Sequence, residues 1–337
     1  MGAQAYEDQV WRRSQACLDE FGVGRWNARR LVVRSLRSSL GGNRRLPLRA
    51  VAAAGESTRR ALGRTLYAGS DVTHRMNLEL PPAPRGDAVT LHDIVAWRFP
   101  DETAPVAAAR HELQRADAVI CVSEFTAQEA TDFLGVHDVR VVPNGVDVRY
   151  FTAAPPDAMT REALGLPARY VLHAGGAALR KNLEGLAAAW PRVQVERPTL
   201  TLVLAGPAHP RRTALFARVR GTMLAGRILD EIMPTVVAGA EAVVVPSLYE
   251  GFGLPVLEAM AAGVPVVAAA TSSLPEVAGG CAILTGTTGP EIAEGLLTAT
   301  SGDSELRTLA TRARAHADGF TWERSALEHA RIWNALA

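Results

Sequence analysis

The chain has 337 residues, enough for two domains that each bury a core of their own. Its 48% hydrophobic and 21% charged composition is that of a soluble globular protein, and a net charge of +1 gives no global attraction to nucleic acid. Three cysteines far apart in apolar company (Cys17, Cys121, Cys281) exclude a disulfide frame or zinc site and suit reduced core thiols.

The start, "MGAQAYEDQVWRR", is mixed and acidic and so no secretory signal. No apolar run reaches the roughly 18 residues of a membrane span, so a cytoplasmic protein is expected, at most peripheral to a membrane. The eight histidines show no metal-ligand spacing. A helix is predicted over 5–20 and a strand over 29–35. From Arg25 to Arg64 there are eleven arginines and a single acid, Glu56. That block reads either as a solvated face or as a contact with anionic lipid or a phosphorylated acceptor. Further strands are predicted at 71–77, 87–93, 117–123 and 139–144, with helices at 56–67, 105–116 and 124–135. The Pro-rich break "FTAAPPDAM" (151–159) marks a domain boundary.

The second half is more regular. Strands are predicted at 170–175, 199–206, 242–247, 264–269 and 281–285. Helices alternate with them at 181–194, 230–240, 255–262, 290–299 and 303–317, and a last helix covers 321–336. β-Branched strands without apolar/polar alternation, spaced by helices, indicate a parallel sheet covered on both faces. Ligands of such doubly wound sheets sit at the carboxyl ends of the strands.

The stretch "PSLYEGFGLPVLEAMAAGVPVVAAA" (246–270) reads as strand, glycine turn, helix and strand. Proline just inside the helix and Gly263 just past its end are start and stop signals. The free amides of such a turn form an anion site. Two carboxylates beside it, Glu250 and Glu258, make sense if they face hydroxyls flanking a diphosphate, because a carboxylate accepts two hydroxyl hydrogens in charge-assisted bonds. Two solvated glutamates are the bland alternative. "HAGGAALRKNLEGL" (173–186) supplies a second glycine turn, with Arg180 and Lys181 at the predicted helix start. Basic residues there oppose the helix dipole, so something negative is expected beside them.

Together these residues resemble the retaining glycosyltransferases of family 4, which have the GT-B fold. "PSLYEGFGLPVLEAMAAGVPVV" resembles their E-x7-E signature. "VLHAGGAALRKN", "LVLAG", "GRILDEIMP", "TLHDIVAWRFP", "ADAVICVSEFT" and "VRVVPNGVDVRYF" follow the family's order over residues 86–337. The resemblance implies an α/β architecture of two Rossmann-like doubly wound domains facing a cleft. The acceptor domain would span 1–151 and the nucleotide-sugar donor domain 152–318, with a helix at 319–337 crossing back onto the first. It implies a nucleotide-diphosphate sugar of the GDP-mannose or UDP-glucose type as donor, and a glycan, lipid-linked or small-molecule acceptor.

In this family pattern Arg180 and Lys181 bind the diphosphate, and Glu250 contacts the donor sugar with the amides of Phe252, Gly253 and Leu254. Glu258 holds the ribose, Gly176 lines the phosphate turn, and the base lies near Arg227 and Ile228. His92 reaches toward the donor sugar, and Asn144 and Gly145 are structural. Retention of configuration is likewise implied by the family. With no Asp-x-Asp motif, catalysis without metal or cofactor is expected.

Family members usually begin with a strand and a glycine-rich loop. This chain opens in a helix, and "SLGGNRR" (39–45) could stand in for that loop. An absent first strand, a start placed too far downstream and a divergent short domain all stay open. So do two rival functions, a nucleotide-sugar epimerase of the same fold and a non-catalytic nucleotide-sugar-binding subunit.

Overall fold

A computed structural model of the chain describes residues 2–22, 24–99 and 102–337. Pro100, which closes the "TLHDIVAWRFP" motif, lies outside them, as do Met1, Val23 and Asp101. The chain divides into residues 1–145 with 322–337 (unit 1) and residues 146–321 (unit 2). The divisions fall a few residues from the 151/152 and 318/319 boundaries read from the sequence.

In unit 1, helix Gly2–Asp19 buries Tyr6, Val10, Ser14 and Cys17, a three-to-four-residue spacing that makes one apolar face. That face packs on Trp322, Ala326, Ala330 and Trp333 of the last helix, Trp322–Ala335. Strands β1 (Val33–Ser35) and β2 (Arg44–Leu46) form a separate parallel pair. The main sheet is parallel, in the order β3 (Thr73–Arg75), β4 (Asp87–Leu91), β5 (Ala118–Cys121) and β6 (Val139–Val141). Every residue of β4 and β5 is buried; β5 is wholly apolar, while β4 carries Asp87, paired to Arg75, and Thr90.

Two readings of this unit need correction. The predicted strand 29–35 shortens to β1 and stands outside the main sheet, and "SLGGNRR" runs into β2. The arginine block is not all one face. Arg25, Arg29, Arg30, Arg37, Arg44, Arg45 and Arg49 are exposed, but Arg59 is buried and ion-paired to Glu112 at 2.5 Å. Arg75–Asp87, at 2.7 Å, is a second buried pair beside it. Both are fully desolvated charges that persist only because each has a partner.

Unit 2 is one six-stranded parallel sheet of β7 (Tyr170–Ala174), β8 (Thr201–Ala205), β9 (Thr222–Gly226), β10 (Ala242–Val245), β11 (Val266–Ala269) and β12 (Ile283–Thr285). Their spatial order is β9-β8-β7-β10-β11-β12. Val171, Leu202, Leu204, Val244 and Val267 face helices Leu183–Glu196 and Gly289–Ala299 through Leu186, Trp190, Ile292 and Leu296. The alternate residues Leu172, Val203, Val243 and Val266 are buried too, so both faces are covered. β9 is absent from the sequence reading: a half-exposed edge strand ending in Ala-Gly lacks the apolar run of its neighbours. From β7 the chain builds outward to β9, then returns to place β10 on β7's other side. The chain therefore leaves β7 and β10 in opposite directions along the sheet, the kind of switch point at whose carboxyl ends such sheets bind their ligands.

Among the described residues, no helix is long and apolar enough to cross a membrane, and no three His, Cys, Asp or Glu side chains gather as a metal group. All three cysteines are free and buried.

Candidate functional site

Of the residues singled out in the sequence, Arg180, Lys181 and Glu250 meet at that β7/β10 divergence. After β7 the chain runs through Gly175–Ala178 into a 3-10 turn, Leu179–Lys181, and only then into helix Leu183–Glu196. Arg180 and Lys181 thus precede the helix and do not begin it. Asn182 caps it, in the left-handed region at φ 51°, accepting from the Gly185 amide. Its Nδ2 also donates to the Pro246 carbonyl (3.1 Å) and the Thr287 carbonyl (2.8 Å), and the Leu248 amide donates to the Arg180 carbonyl at 2.7 Å. The loops after β7 and β10 are stitched together by these bonds.

The negative group expected beside the two basic residues is Glu250. Lys181 Nζ lies 2.6 Å from its Oε1 and Arg180 Nη1 2.9 Å from its Oε2, while the Ser247 hydroxyl donates to Oε1 at 2.7 Å. Glu250 is 7% exposed. Burial pushes its carboxyl upward, but Lys181, Arg180 and the Ser247 bond overcome that and hold it below the ordinary carboxylate range. A carboxylate has about four lone-pair positions. The three contacts use both on Oε1 and one on Oε2, so a sugar has one acceptor position left to meet here. Lys181 is also the only lysine in the chain; the rest of its 36 Lys and Arg residues are arginines.

The glycine turn is held from a third loop, after β11, which sequence reasoning missed. The Glu250 amide donates to Ser272 Oγ at 2.9 Å, and the Ser273 hydroxyl reaches the Glu250 and Phe252 carbonyls, each at 2.9 Å. Thr271 donates to the Ser247 carbonyl at 2.7 Å. Gly253 sits at φ +103°, and a Cβ there would lie 2.7 Å from Leu274 Cδ2, so only glycine fits. The amides of Phe252, Gly253 and Leu254 have no hydrogen-bond partner among the described residues, and Leu254 opens helix Leu254–Ala261. Open donors at a helix start make an anion cradle.

Glu258 lies one turn into that helix, half-buried. Burial raises its carboxyl to about 7; the Tyr150 hydroxyl bond opposes this, and Asp147 and Asp230 add to it. Tyr150 is itself buried, and no sequence pattern pointed to it. Gly176 has open space where a Cβ would be. Arg227 and Ile228 follow β9 at the same carboxyl edge, with Arg227 exposed and Ile228 built into the core. His92 is carried by unit 1, after β4, where its ring meets Tyr6 edge-on at 4.8 Å. Burial lowers its pKa to about 4, against a bond to the Met76 backbone, and its Nε2 is buried with no partner among the described residues. Asn144 and Val142 are buried in the same unit.

Residues 168–301 match the family model "Glycosyl transferases group 1", and residues 87–150 match "Glycosyltransferase Family 4". The O-antigen chain mannosyltransferase B of Escherichia coli is 30% identical over 271 residues, 75% of this chain and 71% of that protein. A GDP-mannose-dependent alpha-(1-6)-phosphatidylinositol dimannoside mannosyltransferase of Mycobacterium tuberculosis is 30% identical over 230 residues, 66% of this chain and 58% of that protein. In fold, the chain is similar to WaaG, a glycosyltransferase involved in lipopolysaccharide biosynthesis, with a TM-score of 0.69 at 17% identity over 98% of this chain and 95% of that one. The chain therefore belongs to glycosyltransferase family 4, and is a GT-B enzyme of the hexosyltransferase class.

Proposed function

We propose that the protein transfers a hexose, with retention at the anomeric carbon, from a nucleoside-diphosphate sugar to a hydroxyl of a glycan, lipid-linked or small-molecule acceptor, without a metal ion. The observation that carries this is the meeting of Arg180, Lys181, Glu250 and three amides without a partner among the described residues, at one strand divergence. GDP-mannose is the first donor to try, because the curated relatives reported above are named mannosyltransferases.

In this reading Arg180 and Lys181 take the diphosphate, whose charge grows as the glycosidic bond breaks; stabilising it is worth several kcal/mol, roughly 3–4 for one well-placed donor. Glu258 receives ribose hydroxyls beside the Tyr150 hydroxyl, and Glu250 receives one sugar hydroxyl at Oε2. Three hydrogen bonds tie up Glu250, which makes it a poor nucleophile and favours attack on the leaving group's own face. There the acceptor oxygen bonds to the anomeric carbon, the carbon–phosphate-oxygen bond breaks, and the acceptor proton passes to the departing phosphate. The exposed arginines between 25 and 49 would suit an acceptor on an anionic lipid, which co-sedimentation with anionic vesicles would detect.

The test combines turnover with a chemical handle. Release of nucleoside diphosphate is measured over GDP-mannose, UDP-glucose and related donors. Separately, pyridoxal phosphate with borohydride should label Lys181 as the only side-chain amine, and GDP or UDP should block the label. A folded protein that neither turns over any donor nor shows protection would sink the reading.

A further inference from the structure

The loop after β8 turns at Gly206, where φ is +148° and a Cβ would lie 2.1 Å from the Gly175 carbonyl oxygen. It then enters helix Pro210–Phe216, whose second and third residues are Arg211 and Arg212. Arg211 pairs with Glu184, Nε to Oε1 at 3.0 Å, and its Nη1 donates to the Ala177 carbonyl. Arg212 is 2% exposed. Its Nη2 donates to the Gly175 carbonyl and its Nη1 to the Pro207 carbonyl at 3.2 Å, while its Nε is buried without a partner among the described residues. No carboxylate pairs with it among the described residues.

Two consequences follow from elementary geometry and electrostatics. In a trans peptide the carbonyl and the following amide point in opposite directions, and no peptide here is cis. With the Gly175 and Ala177 carbonyls drawn toward helix Pro210–Phe216, the amides of Gly176 and Ala178 face the other way. Neither amide has a hydrogen-bond partner among the described residues. A buried guanidinium with no acid beside it is also expensive in the empty protein. A neutral amide side chain could hold one carbonyl without that cost, so the charge asks for a further reason.

We propose that Arg212, assisted by Arg211, is a positioning residue for the diphosphate: it turns the Gly176 and Ala178 amides outward and places an uncompensated positive charge beneath the turn that receives the anion. The proposal rests on the reading of this site as a nucleoside-diphosphate site. Nothing in the sequence marked it beyond two arginines following a strand and a glycine.

Calorimetric titration of the full chain with GDP and with guanosine, and with UDP and uridine, tests it in the wild type and in Arg212→Gln, Arg212→Lys and Arg211→Gln. Arg212→Gln should weaken the diphosphate at least tenfold and leave the nucleoside unchanged. Arg212→Lys, which keeps the charge but not the two-carbonyl fork, should recover part of the loss. The melting temperature without ligand should not fall in Arg212→Gln, because a buried unpaired charge is removed. Equal loss for nucleoside and diphosphate, or none for either, would overturn the proposal. Should Arg212→Gln fail to fold, Arg211→Gln, with a side chain 21% exposed, carries the same comparison with a smaller diphosphate-specific loss expected. A wild type that binds neither diphosphate refutes the underlying reading instead, and is told apart by that.

Discussion

Replacing Glu250 by glutamine should move stability and product affinity in opposite directions. The substitution keeps the side chain's shape and removes the negative charge that Arg180 and Lys181 both contact, each only 16% exposed at its side chain. Stranding a largely buried charge such as that of Lys181 by deleting its partner costs about 3–5 kcal/mol. The amide oxygen can still accept one bond, so the lower end applies, roughly 3 kcal/mol. For a domain of about 150–250 residues each kcal/mol lowers the melting temperature by roughly 2–4 °C, so unit 2 should melt about 6–12 °C lower. For a nucleoside diphosphate the same change removes a repulsion. Two unit charges about 6 Å apart at an effective dielectric near 20 interact by roughly 3 kcal/mol, and half of that, after reorganisation, still tightens binding about tenfold. Scanning calorimetry of the ligand-free protein and titration with GDP and UDP would read the two effects. If the variant melts like the wild type and binds diphosphate with unchanged affinity, Glu250 is not the counter-ion of these cations and the account of the site is wrong.

Two further predictions concern protons. Glu258 has its carboxyl raised from 4.5 to about 7. A raised acid favours folding below its ordinary value and loses that contribution as pH rises through about 7, where the anion becomes the dominant form. Donor affinity should therefore strengthen as pH climbs from 6 to 8, since the anion is the better acceptor of ribose hydroxyls, and Glu258→Gln should flatten the profile; a wild-type affinity independent of pH would count against the ribose role. His329, fully buried and bonded to the Tyr6 hydroxyl at 2.6 Å, is lowered by burial from 6.5 to about 4. Its neutral form is the stable one, so its contribution is present above 6.5 and lost as pH falls toward 4, at about 3 kcal/mol. Every tryptophan but Trp190 belongs to unit 1, so fluorescence should report acid loosening of that unit between pH 6.5 and 4, and a flat signal would refute it.

What could be read from the amino acids, and what could not, follows physical lines. The strands of unit 2 were legible because sheets buried on both faces demand unbroken β-branched runs, as in "AVVVPS". β9 escaped because an edge strand answers to solvent on one side and needs no such run. Glu250 and Glu258 were legible from their places on either side of a turn that only glycine can make. Ser247, three residues before Glu250, was in view but carried no signal, and Ser272 and Tyr150 come from segments that meet these glutamates only through strand order or the chain's return past the sheet. Lys181 carried a signal that went unread, as a lone lysine in a chain that otherwise uses arginine. Arg59 shows the reverse error. Composition placed it in a block read as a solvated face or an anion contact, yet one helical face turns it inward to Glu112.

In the proposed function Glu250 also resolves a tension in how such a site can turn over. Cations strong enough to stabilise a departing diphosphate would, alone, hold the product after transfer. Lys181, only 16% exposed at its side chain, would also hold its charge at a cost in the empty protein. A carboxylate bonded to both settles each difficulty: it neutralises one positive charge when the site is empty and competes with the phosphate when it is full. The net positive charge of one across the three side chains is then matched to a charge that grows during the reaction and must afterwards be released. Binding energy spent equally on bound and departing states would lower turnover without helping the chemical step. On this argument the Glu250→Gln enzyme should be limited by diphosphate release: a rapid first turnover followed by a slow steady state, where loss of a sugar contact alone would slow the first turnover itself.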